Sequence, residues 1–354
     1  MLWKKFNPGL VIPPILIFAL GFTILYSVSP EHAKNQLLFF IVGVVVYLVF
    51  SLLNYEYLAS LWKYFYFGNL LLLGLVFILG KTISGSTRWF TIFGFSIQPS
   101  EFAKFVEVLA LGFLISNKYE KISTMRGLFK LVFPFLPFFI LVFIQPDLGT
   151  TLILIGTLIG VLFYVGLNKL WFALVFFIFS LGSSQIWNVL KDYQKKRILV
   201  FLNPQLDDLG AGYNVVQSLI AIGSGGLFGK GFGRGSQSHL NFLPAYWTDF
   251  ILASFLEEWG FIGFLILILF FVSLFAFILR TSFTAKDFLG VSLSIGVFMT
   301  IFSQFFVNVG MNLGLMPISG IPLPFMTYGG SALITNMAML GLVQYVWINR
   351  KSKN

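Results

Sequence analysis

Apolar stretches of about 20 residues recur along the whole chain, and charged residues fall in short clusters between them. A helix of about 20 residues is what a hydrocarbon layer about 30 Å thick requires. Only 10% of the 354 residues are charged, whereas a water-soluble domain carries about 25%. The sequence therefore predicts one all-α polytopic membrane domain, with no sizeable soluble domain.

Ten transmembrane helices are predicted, with one long outer loop at 189–248 between spans seven and eight. The predicted spans are 10–29, 37–53, 62–80, 98–116, 128–144, 148–166, 170–188, 257–279, 288–309 and 329–348. Short loops rich in Lys and Arg stay on the cytoplasmic side of a membrane. Their distribution here predicts that both termini are cytoplasmic and that the long loop faces outward.

The net charge of +10 fits this topology and the attraction of anionic lipid headgroups better than it fits nucleic acid. The chain contains no cysteine, which excludes disulfides and thiolate metal sites. Its two histidines, His32 and His239, lie far apart in sequence, so a histidine-based zinc site is not expected. We predict a membrane protein without a metal-ligand cluster.

Span four begins with Glu101 and Lys104, which lie one helical turn apart on the same face, and Glu107 extends this stripe. An ionisable group at mid-bilayer costs about 2.5–3.5 kcal/mol, so such groups pair or face a wet cavity. The pattern leaves two readings open for Glu101 and Lys104, a structural ion pair or a functional site. Asp147 opens span six, where the pattern favours a helix cap.

Two irregular segments carry the remaining polar chemistry. The proline-rich segment 314–331 lies between spans nine and ten, and irregular backbone at membrane depth persists only inside protein or beside a water-filled cavity. The glycine-rich run 223–236 presents Lys230 and Arg234 on a backbone whose amides could approach a phosphate. It is not a nucleotide P-loop, because the first glycine and the closing hydroxyl residue of that motif are absent. A flexible loop is the alternative.

Asp249 stands at the entry to span eight, where Thr-Asp before an apolar run is a helix-cap pattern. An unbroken helix from there to Arg280 would have about 32 residues and measure about 48 Å, which is too long for the bilayer unless tilted. Part of it should precede the membrane core. Asp249 is then expected at the outer interface, with Glu257 and Glu258 two turns deeper at the mouth of a cavity.

A series of motifs resembles the SEDS family (shape, elongation, division and sporulation) of multispan peptidoglycan polymerases. The motifs are GSTRWF, QPSEFAK, QPDLGT, GYNVVQSLIAIGSGGLFGKG, NFLP, TDF, EEWGFIG and GIPLPFMTYGGS, in this order. The GYNVVQS, GKG, SHLNFLP and NVGMNLGLMP segments resemble the elongation branch, RodA, more than the division branch, FtsW.

The resemblance implies a ten-span glycosyltransferase of the bacterial cytoplasmic membrane, with its active site on the outer face. It would polymerise lipid II into glycan strands during cell elongation and release undecaprenyl pyrophosphate. A class B penicillin-binding protein, which is a transpeptidase, is the implied partner. A divalent cation, Mg²⁺ or Mn²⁺, is compatible with a pyrophosphate reaction.

The resemblance also implies roles for individual residues. Asp249 matches the essential aspartate of the family and is expected to be the general base. Asp147 is expected to be structural, and the roles of Glu257 and Glu258 stay open. The residues expected to bind the pyrophosphate or to shape the cavity are Glu101, Lys104, Arg88, Lys230, Arg234, Lys196 and Arg197.

The chain departs from the family just before Asp249. Many relatives read LPEQHTDFIFA, whereas this chain reads LPAYWTDFILA, with Ala245 and Trp247 in place of a glutamate and a histidine. This leaves Asp249 as the expected base. Tyr246 and Trp247 are expected to anchor in the membrane interface rather than to stack on a sugar.

Three other functions compete with the polymerase. One is a lipid II flippase, and another is a secondary transporter that uses Glu101, Lys104 and Glu107 as an ion relay. The third is a noncatalytic membrane scaffold for the cell-wall machinery. Transporters usually contain two related halves, and the sequence contains no convincing internal repeat, which favours the enzyme.

Overall fold

The computed structural model describes residues 6–83, 86–92, 95–118, 125–167, 171, 188, 192–207 and 210–351. This part of the chain forms a helical bundle with a small sheet on its outer side. The helices are α1 Pro8–Val28, α2 Pro30–Leu52, α3 Tyr55–Ser60, α4 Trp62–Leu79, α5 Pro99–Lys118, α6 Met125–Val132, α7 Leu136–Ile144, α8 Leu148–Tyr164, α9 Asp192–Leu202, α10 Ala211–Gly225, α11 Ser236–His239, α12 Ile251–Thr284, α13 Phe288–Asn312 and α14 Gly330–Ile348.

The all-helical, multispan membrane architecture is confirmed. Within the described residues, 7 helical segments are long and apolar enough to cross a membrane. The predicted span 170–188 lies outside the described residues except for 171 and 188, and each other predicted span coincides with a helix. One of these spans is interrupted, because Pro134 and Pro137 place a 3₁₀ turn, Phe133–Phe135, between α6 and α7.

The segment after α4 forms a sheet that the sequence analysis did not predict. Three antiparallel strands pair in the order β1 Lys81–Ile83, β2 Ser86–Ile92 and β3 Phe95–Ile97. Their Thr, Trp, Phe and Ile residues have high strand propensity, and Phe90 pairs with Ile97 across the sheet. The middle strand carries Arg88, which the sheet places at the end of the bundle where α4 ends and α5 begins.

α13 lies in the middle of the bundle, where it packs against α5, α8, α12 and α14. Four fully buried polar residues repeat every fourth position on one of its faces, namely Thr300, Gln304, Asn308 and Asn312. Thr300 hydrogen-bonds Thr157 of α8 at 3.1 Å, and Gln304 bonds Asn336 of α14 at 3.4 Å. Among lipids, such interhelical hydrogen bonds stabilise helix packing. This polar face ends at Asn312, at the end of the bundle where Asp249 lies.

α12 contains a break that the sequence analysis did not predict. Gly260 has φ 66° and ψ −165°, which is outside the helical region. The segment after it, 261–284, is about 36 Å long at 1.5 Å per residue and spans the bilayer by itself. The segment before it, 251–259, contains the residues before 257 that were expected to precede the membrane core.

Candidate active site

Asp249 lies in the turn before α12, but it does not cap that helix. The N-cap position is Phe250, and no side chain caps the helix there, so the cap that the Thr-Asp pattern predicted is wrong. The turn is instead closed by the carbonyl of Ala245, which accepts from the backbone amides of Thr248 at 3.0 Å and Phe250 at 3.2 Å. Because no cap is formed, the Asp249 carboxylate is left without a structural task.

Two asparagines of α13 hold the backbone of Asp249. Asn308 Nδ2 donates to the Asp249 carbonyl at 3.2 Å and to the Ile321 carbonyl at 2.7 Å. Asn312 Nδ2 donates to the same Asp249 carbonyl at 3.1 Å, and its Oδ1 accepts from Ala253 N at 3.2 Å. Both asparagines are fully buried. They join α12, α13 and the proline-rich segment at the residue expected to be catalytic.

The Asp249 carboxylate makes no hydrogen bond or ion pair within the part of the chain that the structure describes. It is partly buried, and its Oδ2 lies 3.7 Å from the position that a Cβ on Gly320 would occupy. Burial raises the pKa of Asp249 above its ordinary value. The positive charges of Arg88 and Arg197 oppose this rise, and the negative charge of Asp147 adds to it. The group is thus a free carboxylate in a field from two arginines.

Asp147 is fully engaged in structural contacts. Its Oδ1 caps α8 by accepting from Thr150 N at 3.1 Å, as the sequence predicted, and it also pairs with Arg88 Nη1 at 3.2 Å. Its Oδ2 accepts from Gln98 Nε2 at 2.8 Å and from Ser100 Oγ at 3.1 Å. Asp147 therefore ties the start of α8 to the start of α5 and fixes the arginine that acts on Asp249.

Glu101 and Lys104 form an ion pair, which is one of the two readings that the sequence left open. Lys104 Nζ lies 2.6 Å from Glu101 Oε2, and both side chains are almost completely buried. Glu107, one turn further along α5, is equally buried, and neither of its carboxylate oxygens has a hydrogen-bond partner among the described residues. Glu101, Lys104 and Glu107 thus form a buried stripe of ionisable side chains on α5. The stripe follows the Asp147 contacts at the start of that helix.

The glycine-rich run does not present a set of free amides. Lys230 N and Gly231 N donate to the carbonyls of Glu257 and Glu258, each at 3.0 Å, beside the break in α12. A phosphate cannot use these two amides while the helix break needs them. The expectation of an amide cradle is therefore wrong at these positions.

The acidic residues at the break are also occupied. Glu257 Oε1 binds Lys230 Nζ at 2.6 Å and accepts from Gln237 N at 3.1 Å. Glu258 Oε1 accepts from Ser27 Oγ of α1 at 2.6 Å and lies 3.1 Å from His239 Nε2. The glutamates expected at a cavity mouth thus attach the glycine-rich run and α1 to α12.

The other basic residues of the long loop divide into two groups. Lys196 pairs with Asp207 at 2.9 Å on the exposed surface, while its neighbour Arg197 acts electrostatically on Asp249. Arg234 is exposed and makes no contact with Asp249 that the structure records. The structure thus brings Arg88 and Arg197 towards Asp249, and it places Lys230 in the ion pair with Glu257.

An aromatic cluster flanks Asp249. The His32 ring stacks on Trp247 with centroids 5.3 Å apart, and it meets Tyr328 edge-on at 4.6 Å. Tyr246 packs edge-on against Trp247 at 4.5 Å. Trp247 is therefore held among protein rings, and its anchoring in the membrane interface stays a prediction. The imidazole of His32, from α2, thus stacks on Trp247, the residue expected to stand where the family has a histidine.

Sequence reasoning missed Asn308, Asn312 and His32. The asparagines had a detectable signal, because four polar residues repeat every fourth position within an otherwise apolar span. His32 had none, since its contact with Trp247 joins positions that are far apart in the chain.

Comparisons with known proteins agree with this architecture. Residues 10–352 match the profile of the FtsW, RodA and SpoVE family, described as "Cell cycle protein". The chain is 36% identical to stage V sporulation protein E of Bacillus subtilis, over 97% of this chain and 98% of that protein. It is 38% identical to the probable peptidoglycan glycosyltransferase FtsW of Wigglesworthia glossinidia brevipalpis, over 88% and 82%. It is 34% identical to the peptidoglycan glycosyltransferase MrdB of Escherichia coli K12, over 99% and 96%.

Two solved structures share the fold. One, from work on a peptidoglycan synthase complex that coordinates polymerisation and crosslinking, superposes with a TM-score of 0.83 at 29% identity, covering 97% of each chain. The other is the rod shape determining protein RodA of Thermus thermophilus, with a TM-score of 0.74 at 29% identity, covering 99% of each chain. Since sporulation and division relatives are about as similar as MrdB, the elongation branch is not resolved. The chain belongs to the SEDS family of FtsW, RodA and SpoVE.

Proposed function

We propose that this family member polymerises lipid II into glycan strands at the outer face of the membrane, with Asp249 as the general base. Relatives over nearly its whole length are peptidoglycan glycosyltransferases by name. The observation that carries the assignment is the state of the acidic groups. Asp147, Glu101, Glu257 and Glu258 all have partners in ion pairs or hydrogen bonds, whereas the Asp249 carboxylate has none within the described residues. Glu107 of α5 also lacks a partner among them, but it is buried, whereas Asp249 is only partly buried.

The proposed reaction is a displacement at the anomeric carbon of the lipid-linked chain. The Asp249 carboxylate takes the proton of the acceptor sugar hydroxyl, and the hydroxyl oxygen forms the new bond to that carbon. The bond to the pyrophosphate oxygen breaks, and undecaprenyl pyrophosphate leaves. A raised pKa brings the base closer to the operating pH, which favours proton transfer.

Arg88 and Arg197 are proposed to receive the negative charge of the leaving pyrophosphate. Both already act on Asp249, so a pyrophosphate bound between them would lie near the base. Lys104 is proposed to shape the cavity, since its charge is neutralised by Glu101 at 2.6 Å. Lys230, Arg234 and Lys196 are proposed as outer contacts for the same anion.

An apolar groove supports a substrate that carries a long hydrocarbon chain. It has a volume of about 470 Å³ and lies between α2, α4, α5 and α14, with Phe50, Phe65, Phe105 and Ile334 among its lining residues. Asn69, at its wall, donates to the carbonyl of Pro99 at 3.1 Å, so the groove reaches the start of α5. We propose that the prenyl chain lies here.

A resident Mg²⁺ or Mn²⁺ does not fit the acidic groups present. Both Asp147 oxygens are already bonded, which leaves the Asp249 carboxylate as the unengaged acidic ligand among the described residues near the site. A protein-held cation would need several oxygen ligands. No step of the proposed reaction therefore runs through a metal.

Elongation is proposed as the cellular role, with a class B penicillin-binding protein as the partner. The similar structure from a peptidoglycan synthase complex supports such a partner. Both termini are proposed to be cytoplasmic. Asn7 N bonds Gln344 Oε1 at 3.4 Å and Lys351 N bonds Thr284 O at 3.2 Å, so the two ends of the described chain lie at the end of α12 far from Asp249.

The test is polymerisation of lipid II by the purified protein, alone and with its transpeptidase, with products separated by size. Wild type should make long glycan, Asp249→Asn should make none, and the exposed control Glu31→Gln should act as wild type. Polymerisation by Asp249→Asn at the wild-type rate would contradict the assignment of Asp249 as the general base. If no variant makes glycan even with the partner, a lipid II translocation assay tests the flippase, and its failure leaves the scaffold.

A further inference from the structure

The glycine-rich run carries large apolar side chains on its outer surface. Leu227 is 63% exposed, Phe228 78% and Phe232 56%. We call these three residues the outer wedge. Side chains this apolar are as exposed as those on the lipid-facing sides of the spanning helices, although the run belongs to the outer loop.

The wedge is rigidly attached to the break in α12. The carbonyls of Gly226 and Leu227 accept from Phe261 N at 2.9 Å and Ile262 N at 3.0 Å, the first two amides after the break. Further along the run, Lys230 N and Gly231 N donate to the carbonyls of Glu257 and Glu258, which precede the break. The run thus supplies the hydrogen bonds that the broken helix lacks, and Leu227 is fixed beside Phe261.

The break lies at the outer edge of the hydrocarbon layer. The segment 261–284 is about 36 Å long, slightly more than the hydrocarbon thickness of about 30 Å. Its exposed residues, Phe261 at 50%, Ile262 at 41% and Leu265 at 51%, begin directly below the wedge. The wedge therefore continues the lipid-facing surface of α12 beyond the break.

We propose that the outer wedge inserts into the outer leaflet of the bilayer. Lipid is favoured over a protein partner by this continuity with the lipid-facing surface. The carbonyls of Gly226 and Leu227 and the amides of Lys230 and Gly231 are internally bonded, and bonded backbone groups favour insertion among acyl chains. The wedge fixes the height of the α12 break relative to the lipids, and with it the height of the 251–259 segment that follows Asp249. This inference does not depend on the catalytic assignment.

The chain has no cysteine, so single-cysteine spin labelling is direct. The labelled variant is Phe228→Cys in lipid nanodiscs, and Leu227→Cys is an independent second variant in case the first does not fold. Leu269→Cys, on the lipid-facing side of α12, provides the lipid reference, and Gln205→Cys, on the exposed outer surface, provides the water reference. The measurement is the accessibility of the label to oxygen, which partitions into lipid, and to a water-soluble nickel complex.

The expected result is that labels at 227 and 228 collide with oxygen as often as the label at 269 and are shielded from nickel. Nickel accessibility like that at 205 would overturn the proposal, since the wedge would then lie in water. Shielding from both reagents would also overturn it, in favour of a second copy or another protein covering the wedge.

Discussion

The chain is held in opposite ways at Asp249 and at the neighbouring glutamates Glu257 and Glu258. At Asp249, side chains from elsewhere bind the backbone, and the carboxylate stays free. At Glu257 and Glu258, the carboxylates are bound to Lys230, Ser27 and His239. A carboxylate that binds a lysine or caps a backbone amide is already stabilised as an anion and is a poor base. Holding the chain by its carbonyl leaves the side chain available for chemistry.

The largest contrast is expected between Asp249→Asn and Glu257→Gln. Loss of a general base lowers the rate about 10²–10⁴-fold, so Asp249→Asn should lose polymerisation at an unchanged melting temperature. Glu257→Gln should lose stability first, because Glu257 is fully buried and its partner remains charged. Breaking such a pair costs about 3 kcal/mol. Polymerisation rates and thermal unfolding of both variants test this contrast. A Glu257→Gln variant as stable and as active as wild type would contradict it.

Asn312→Leu should weaken the hold on Asp249. It removes the donor to the Asp249 carbonyl and the acceptor for Ala253 N, and a small displacement of the base should lower kcat about tenfold. Gln304→Leu is the matched control, since Gln304 lies two turns away on the same buried face and bonds Asn336 instead. If both variants lose activity equally, the asparagine acts through general stability and not through Asp249.

The acid limb of the pH profile should reflect Asp249. Its carboxyl pKa is raised by burial, so activity should fall at a higher pH than an ordinary aspartate would give. The stability that Asp249 contributes changes with pH in the opposite direction to activity. The protonated form is favoured in the folded state, so the stability that Asp249 contributes is present at low pH and is lost as the pH rises through the raised pKa. Asp249→Asn should thus be at least as stable as wild type at neutral pH, whereas a less stable variant would show that the carboxylate has an unseen partner.

The smallest effect is expected at His32. If the ring only supports Trp247, His32→Phe should keep wild-type activity and His32→Ala should lower it about threefold, as an aromatic pair is worth about 0.5–1.5 kcal/mol. Initial rates across pH distinguish this from acid–base chemistry. Equal losses in both variants, with an altered pH profile, would instead give the imidazole a chemical role.

The sequence by itself determined the spans and the polar residue types. Apolar length specifies a spanning helix because the bilayer thickness is fixed, and the pairs Glu101 with Lys104 and Asp147 with Thr150 are local, within one helical turn. The length of the segment 249–280 predicted that part of α12 precedes the membrane core, but it did not predict the break at Gly260. The β-sheet beside α4 was missed, since short polar strands resemble loop sequence.

Only the tertiary structure decided which acidic groups are paired. The partners of Glu257 and Glu258 lie on the glycine-rich run and on α1, and those that hold Asp249 lie on α13. Composition and spacing do not predict such contacts, because these contacts depend on how distant segments pack. The same packing uses the amides of Lys230 and Gly231 to complete a broken helix, and it places His32 on Trp247. The residue types for the site were in the sequence, but the assignment of each to structure or to chemistry required the fold.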